Sequence, residues 1–337
     1  MLERAGLRTT LLCRSQEQAR LVGEARKNER YLPGVELPRD LRVRAVGGEP
    51  DEVRRADLIF LAIPSKGVTE ALAELERIGV SAGAGVVSLA KGLVPPDGTA
   101  PTAALDAAFG GQRVACVGGP SHAREMVETG AGLVCASQSE TLAHGVAEAF
   151  QRGGVVCEVS ADPVGVELAG VAKNAAAVAV GATQAQGLNA AGMAAADIFL
   201  EVLALAVASG GRSRTFVGRA GTGDLVATAL APSSRNRTAG ELLAQGVPAA
   251  EIPGRVGQAV EALDTVRLLS HAIERAGLEA PMTSALAHLI EGTLPLERWI
   301  SLVRAKQPEP ARFGRRWRGR GVWARLRAWL RGLFRPR

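Results

Sequence analysis

Aromatic residues make up only 4% of this 337-residue chain, with a single tyrosine, Tyr31. Packing therefore rests on Ala, Val, Leu and Gly, a composition common in α/β enzymes and foreign to proteins that stack nucleic-acid bases on aromatic side chains. Cysteine is equally scarce. Cys13, Cys116, Cys135 and Cys157 sit singly in apolar, strand-like runs with no CxxC pair. That spacing argues against a disulfide framework or a thiolate zinc site, and fits free buried thiols in a reducing cytoplasm. His144, His271 and His288 stand alone, and no His or carboxylate spacing resembles a metal site. No early segment joins a charged stretch, an apolar core and a cleavage site, so no signal peptide is expected. Nothing in the chain reads as a GxGxxG glycine loop.

What is present begins with charge. The net +6 is concentrated at one end: residues 312–337 hold ten arginines and no acid, so the remainder carries −4. The body is mildly acidic, and a whole-protein case for nucleic-acid binding fails. A hydrophobic content of 47% is enough for a well-buried core and most naturally two domains.

Short apolar runs alternate with helical patterns through the first half. Arg8–Cys13, Leu58–Ile63, Gly85–Leu89, Val114–Val117 and Gly132–Ala136 read as strands, with helices such as Ser65–Ile78 and Ser121–Glu128 between them. Nearly continuous apolar strands point to a parallel sheet covered on both faces. From about Asp162 the strand signal stops. Val164–Val180, Gly192–Ala208, Ser234–Gln245, Gly257–Ala276 and Pro281–Gly292 read as packed helices. The expected fold is an α/β nucleotide-binding (Rossmann-like) domain over 1–161, an all-α substrate domain over 162–307, and an Arg-rich tail over 308–337. The uncharged stretch Asn174–Ala196 is long enough for a membrane span, but Gln184, Gln186, Asn189 and its glycines make a buried core helix the better reading.

A doubly wound domain opens with a strand, a glycine turn and a helix. Here Met1–Gly6 resembles only the last turn of such a helix, and Arg8–Cys13 the second strand. Two readings stand: residues are missing upstream of a misplaced start, or the protein is truly truncated. Arg14, after that strand, sits where an acid would bind the adenosine ribose of NAD. With Ser15 beside it, an arginine would receive the 2′-phosphate of NADP, though an Arg at a strand end is commonly just solvated. Lys173 is the sole charged residue between Glu167 and Asp197, in a strongly apolar helical stretch where an unpaired charge is costly.

In order along the chain come Arg14, NERYLPGVELP (28–38), ADLIFLAIPS (56–65), LAKGL (89–93), GGPSHARE (118–125), VELAGVAKN (166–174), AGTGDLV (220–226), SSRNR (233–237) and VEA (260–262). Together, from about residue 7 to about 303, they resemble the bacterial NAD(P)-dependent glycerol-3-phosphate dehydrogenase family. The resemblance implies reversible reduction of dihydroxyacetone phosphate to sn-glycerol 3-phosphate with NADP or NAD as cofactor, feeding glycerophospholipid synthesis. It implies Lys173 as the active-site lysine, protonating the developing alkoxide and serving as base in reverse. Asn174 and Asp224 would hold that lysine and the substrate hydroxyls in register. Substrate contacts would also come from Lys91, Gly119, Ser121, Ser234, Arg235 and Asn236. Cofactor contacts would come from Arg14, Tyr31, Lys91, Ala123, Arg235, Ala259 and Glu261. Read without the resemblance, SSRNR is equally a capped helix with a surface arginine. His122 stands where the family has Phe, Thr222 replaces Leu and Ala262 replaces Gly; none removes a charged reacting group.

Beyond Gln307 the resemblance ends. Residues 308–320 read as a flexible linker. Val322, Trp323, Leu326, Trp329, Leu330, Leu333 and Phe334 fall on one helical face, with Arg325, Arg327, Arg331 and Arg335 around the other. That pattern suits an anionic membrane surface, reached through residues 322–335 by a cytoplasmic enzyme peripheral to the inner face. A helix docked on the protein itself is the plainer alternative. A homodimer is the expected assembly. The competing functional reading is a catalytically silent, truncated paralogue that binds substrate or membrane. A reductase of another small keto substrate would have to explain the phosphate-binding set SSRNR.

Overall fold

Strands and helices alternate up to Ser160, and from Pro163 onward every described element is helical. A computed structural model describes residues 1–48, 50–231 and 233–305. Contacts gather Met1–Val303 into one body. The tail reading at 308–337 lies outside the described residues.

In chain order the first half holds β1 (Thr10–Cys13), α1 (Gln16–Ala25), β2 (Lys27–Asn28), β3 (Leu32–Glu36), β4 (Arg42–Ala45), α2 (Pro50–Arg54) and β5 (Leu58–Leu61). Then follow α3 (Val68–Ile78), β6 (Gly85–Ser88), α4 (Pro101–Phe109), β7 (Val114–Gly118), α5 (Ala123–Glu128), β8 (Gly132–Ser137), α6 (Glu140–Arg152) and β9 (Val156–Ser160). The helical half comprises α7 (Pro163–Thr183), α8 (Leu188–Ala208), α9 (Ser213–Val217), α10 (Asp224–Leu230), α11 (Arg235–Ala244), α12 (Ile252–Val256), α13 (Glu261–Arg275), α14 (Pro281–Ile290) and α15 (Leu296–Ala305).

Five strands form one sheet in the order β5-β6-β7-β8-β9, while β1 pairs only with β4 and β2 only with β3. β1–β4, β5–β6, β6–β7 and β8–β9 are parallel. The expectation of a parallel sheet needs one correction: β8 runs antiparallel to β7. The link between them holds only the six-residue α5, about 9 Å of helix. That is too short to return the chain along the sheet to the start of a parallel neighbour. β6 and β7 are buried at every position, as their valine-rich sequences require.

The uncharged stretch Asn174–Ala196 is not one helix. It breaks at Gly187 (φ +103°) into the end of α7 and the start of α8. Both helices are long and apolar enough to cross a membrane, but the first is 83% buried inside the protein and the second 33%. α7 is thus a core helix, and its small residues let neighbours approach. A Cβ on Gly181 would lie 2.0 Å from the Arg237 carbonyl oxygen, and one on Gly240 would lie 2.1 Å from that of Val178. Only glycine permits this crossing of α7 and α11, and the crossing carries Asn236 to Asn174.

Three buried carboxylates each cap a helix start far from them in sequence, and Asp162 also caps the start of its own helix α7. Asp162 accepts from Gly165 N (2.9 Å), Arg212 N (2.9 Å) and Thr215 Oγ1. Glu167 accepts from Thr102 N (3.0 Å) and from its hydroxyl, at the start of α4. Glu201 accepts from Met282 N (2.9 Å) and Thr283 N (2.7 Å), at the start of α14. Each satisfies donors that a helix leaves open at its N-terminus. The Glu167 contact ties the strand-bearing half to α7. All four cysteines are free and buried, and burial pushes the Cys157 thiol up to about 11.

Candidate active site

Two lysines meet over one carboxylate. α7 delivers Lys173 from the core, and the turn after β6 delivers Lys91. Asp224, the first residue of α10, is 1% exposed. Its Oδ2 accepts from Lys91 Nζ at 2.7 Å, and its Oδ1 lies 3.4 Å from Lys173 Nζ. A charge this deeply buried needs a countercharge; Lys91 supplies it at hydrogen-bond distance, and Lys173 stands on the other oxygen. A five-residue π-turn, Arg219–Gly223, precedes Asp224. There a Cβ on Gly221 would lie 2.1 Å from the Phe216 carbonyl oxygen, so glycine is what lets the chain turn into the site.

Lys91 Nζ also donates to the Gly119 carbonyl at 2.9 Å and to Ser121 Oγ at 3.2 Å. Gly119 has φ +98°, and a Cβ there would lie 2.4 Å from the Gly132 carbonyl oxygen. The turn after β7 therefore folds back on β8 in a way no side chain allows. Asn174 Nδ2 donates to the Lys91 carbonyl (2.8 Å), and Asn174 Oδ1 accepts from Asn236 Nδ2 (2.8 Å). Lys173 Nζ donates to Thr228 Oγ1 at 3.1 Å. Burial, seconded by the like charge of Lys91 and opposed by Asp224, brings the Lys173 ammonium down from 10.5 to about 8. The pair is thus a lysine able to give and take a proton near neutrality beside a second, carboxylate-bound cation.

Ser234 caps α11, its hydroxyl accepting from Arg237 N. This realises the expected helix start, and Arg235 and Asn236 occupy its first turn. Arg235 Nη1 donates to the Ala259 carbonyl (3.1 Å) and to Gln258 Oε1 (3.2 Å), and Gln258 Nε2 in turn donates to the Arg30 carbonyl (3.1 Å). The β2–β3 turn, which bears the 44%-exposed Tyr31, is thereby tied to Arg235. Glu261, first residue of α13, accepts from Ser65 N at 2.7 Å.

Of the residues expected at the site, Lys91, Gly119, Ser121, Lys173, Asn174, Asp224 and Asn236 form one hydrogen-bonded network. Ser234, Arg235 and Ala259 adjoin it through α11. Glu261 stands on Ser65. Arg14 and Ala123 are exposed at the end of β1 and the start of α5, and neither contacts the lysine network. Sequence reasoning missed Thr228, Ser65 and Gln258. Thr228 lies four residues after Asp224 on one helix, a spacing that places both on one face; that signal was readable.

The residues fit a nicotinamide cofactor at its two ends and not in its middle. Arg14 is free of the fold at a strand end, and the Ser15 hydroxyl is occupied capping α1 through Gln18 N. Near Glu261, Thr265 Oγ1 is buried without a hydrogen-bond partner. A Cβ on Gly92 would lie 2.5 Å from Ser65 Oγ and 2.7 Å from both Glu261 Oε1 and Thr265 Oγ1, so glycine keeps this polar cradle open. Among the described residues no strand-to-helix turn carries a GxGxxG sequence to hold a pyrophosphate.

A sheet of doubly wound type followed by a helical half that presents a buried two-lysine site defines a nicotinamide-dependent dehydrogenase of a small substrate. Residues 1–143 match the N-terminal part, and 162–301 the C-terminal part, of the family described as NAD-dependent glycerol-3-phosphate dehydrogenase. The chain is 36% identical over 316 residues to a glycerol-3-phosphate dehydrogenase [NAD(P)+] of Parafrankia, covering 92% of this chain and 93% of that protein. It is 38% identical to the enzyme of the same name from Deinococcus radiodurans, covering 86% and 85%. A crystal structure of glycerol-3-phosphate dehydrogenase from Coxiella burnetii superposes with a TM-score of 0.80 at 25% identity, covering 90% and 93%. The chain belongs to the NAD-dependent glycerol-3-phosphate dehydrogenase family.

Proposed function

We propose that this protein reduces dihydroxyacetone phosphate reversibly to sn-glycerol 3-phosphate with NADPH or NADH, supplying glycerophospholipid synthesis. The observation that carries the reading is the Asp224 carboxylate held between Lys91 and Lys173. NAD(P)H, when bound, supplies the hydride to the ketone carbon. Lys173 gives its proton to the ketone oxygen, is left neutral, and recovers a proton from solvent; oxidation runs the same transfer backwards. Lys91, ion-paired with Asp224, offers a fixed cation to the substrate, with Asn174, Gly119 and Ser121 around it. The phosphate is received at the α11 start, where Ser234, Arg235 and Asn236 combine helix N–H groups with a guanidinium. Arg235, tied to Ala259 and Gln258, bridges substrate and cofactor; Glu261, Tyr31, Ala123 and Arg14 complete the cofactor contacts.

NADPH oxidation at 340 nm with dihydroxyacetone phosphate tests this. Turnover that disappears in Lys173→Ala supports the reading. Silence, with substrate still bound, favours a non-catalytic binder.

The assembly we propose is a homodimer in the cytoplasm. Its support is α8, whose Met193, Leu200 and Val207, spaced seven residues apart, are 42%, 60% and 49% exposed, an apolar stripe suited to a second copy. Light scattering after size exclusion decides it, a monomer at micromolar concentration counting against. The basic, Trp- and Leu-bearing spacing of residues 322–335 supports peripheral contact with anionic membrane. Equal partition of full-length and tail-deleted chains in liposome co-sedimentation would sink that idea.

A further inference from the structure

α7 grips the chain between β6 and α4 at both ends. Asn174 Nδ2 donates to the Lys91 carbonyl at 2.8 Å, and Glu167 accepts from Thr102 N at 3.0 Å and from the Thr102 hydroxyl. Glu167 and Asn174 are seven residues apart, about two turns of helix, so they share one face with about 10 Å between them. Gly170, on the same face, makes room for the lysine: a Cβ there would lie 3.3 Å from Lys91 Cγ. The gripped segment, residues 91–102, doubles back where Val94 N donates to the Thr99 carbonyl at 2.8 Å, and Leu93 and Val94 are buried. It also rests on α13, where a Cβ on Gly98 would lie 3.0 Å from the Leu268 carbonyl oxygen.

Capping α4 does not by itself call for such a contact. Its N-cap, Ala100, has no side-chain oxygen to offer, and a serine or aspartate there would close the helix locally. Instead a carboxylate is buried to 4% exposure, and burial pushes it up to about 7 against the Thr102 hydrogen bonds. That cost falls on the helix that bears Lys173 and Asn174, and the contact it secures ends the segment that begins at Lys91. Lys91 Nζ reaches the Asp224 carboxylate at 2.7 Å, the Gly119 carbonyl at 2.9 Å and Ser121 Oγ at 3.2 Å. A side chain that serves three partners from a turn needs its backbone held to within a fraction of an ångström. One hydrogen bond at the Lys91 carbonyl would leave the segment free to pivot about it; a second, at Thr102, stops the pivot.

We infer that Glu167 is a positioning residue for Lys91: by fixing Thr102 it closes the second of two clamps that hold residues 91–102 to α7, and so keeps the Lys91 amino group on Asp224. The clamp stands whatever the reaction is; its consequence for substrate rests on the dehydrogenase reading. Opening it loosens the cation offered to the substrate and leaves Lys173 on its own helix, so substrate affinity falls more than the rate of proton transfer.

Brief acylation with acetic anhydride, followed lysine by lysine by mass spectrometry, tests the clamp without reference to turnover. Glu167→Ala should raise labelling of Lys91 about tenfold, with Lys27 and Lys66 unchanged as internal controls. Thr102→Val removes only the hydroxyl and should act in the same sense at smaller size, which keeps the test decisive if Glu167→Ala does not fold. In the NADPH assay Glu167→Gln should raise KM for dihydroxyacetone phosphate about five- to tenfold and change kcat less than about threefold. Lys91 labelling equal in variants and wild type overturns the inference, as does a fall in kcat with KM unchanged, the mark of a fold that is merely weaker. Lys91 labelling that responds in a chain whose wild type shows no turnover supports the clamp and overturns the dehydrogenase reading instead.

Discussion

Replacing Lys173 with methionine should abolish turnover and make the fold more stable. Burial brings the Lys173 ammonium from 10.5 down to about 8, with Lys91 acting in the same direction and Asp224 against it. That gap, at about 1.36 kcal/mol per tenfold, means that keeping the lysine charged costs the folded state about 3 kcal/mol at pH 7. Between about pH 8 and 10.5 the folded chain binds fewer protons than the unfolded one, so wild-type stability rises with pH across that window; below pH 8 the cost is fully present. Methionine fills similar space without charge, and Asp224 keeps Lys91 at 2.7 Å. The variant should gain about 2–3 kcal/mol at pH 7, roughly 5 °C or more in Tm, and the gain should shrink toward pH 10.5. Its reduction rate should fall at least about a thousandfold. Urea unfolding followed by circular dichroism at pH 7 and pH 10 reads the first effect and NADPH oxidation the second. A variant less stable than wild type at pH 7, or a difference equal at both pH values, refutes the reasoning.

Other expectations follow from the same contacts. Wild-type reduction should decline as pH rises through about 8, where Lys173 loses its proton, and oxidation should climb through the same pH; coincident profiles in the two directions would count against Lys173 as the proton carrier. Burial raises the Glu167 carboxyl from 4.5 to about 7 against the Thr102 hydrogen bonds. The folded state therefore binds more protons between those values, and stability present below pH 4.5 is lost as pH rises through 7. Glu167→Gln should flatten that dependence in urea titrations at pH 5 and 7.5. Gly119→Ala, at φ +98° and against the Gly132 carbonyl, should cost at least about 2 kcal/mol and weaken Lys91's grip on the turn, read as lower Tm and reduced turnover. Arg14→Asp should raise KM for NADPH about tenfold or more with little change for NADH; equal effects on both would place Arg14 away from the 2′-phosphate.

Much of the site was legible because its chemistry is carried by short ordered segments. Lys173 announced itself as a lone charge in an apolar helix, and SSRNR as a capped helix start. What escaped was contact between remote segments. Nothing local says that Gln258 links Arg235 to the β2–β3 turn, or that Glu167, in the same run as Lys173, serves to cap α4. β4 and β9 were missed because RVRA and VCEVS alternate charge with apolar residues, the mark of a sheet edge rather than of a buried strand.

The sequence by itself determined the division into a strand-bearing half and a helical half, since hydrophobic periodicity is local and switches near Asp162. It also determined which residues could act as acid or phosphate donor, since those roles follow from residue type. Only the tertiary structure decided that one buried carboxylate serves both lysines, that β8 runs against β7, and that β1 pairs with β4 rather than with the five-stranded sheet. Each of these depends on where segments far apart in the chain are brought to lie. Burial then converts that placement into chemistry, by lowering the proton affinity of Lys173 and by making every unpaired charge or strand edge costly.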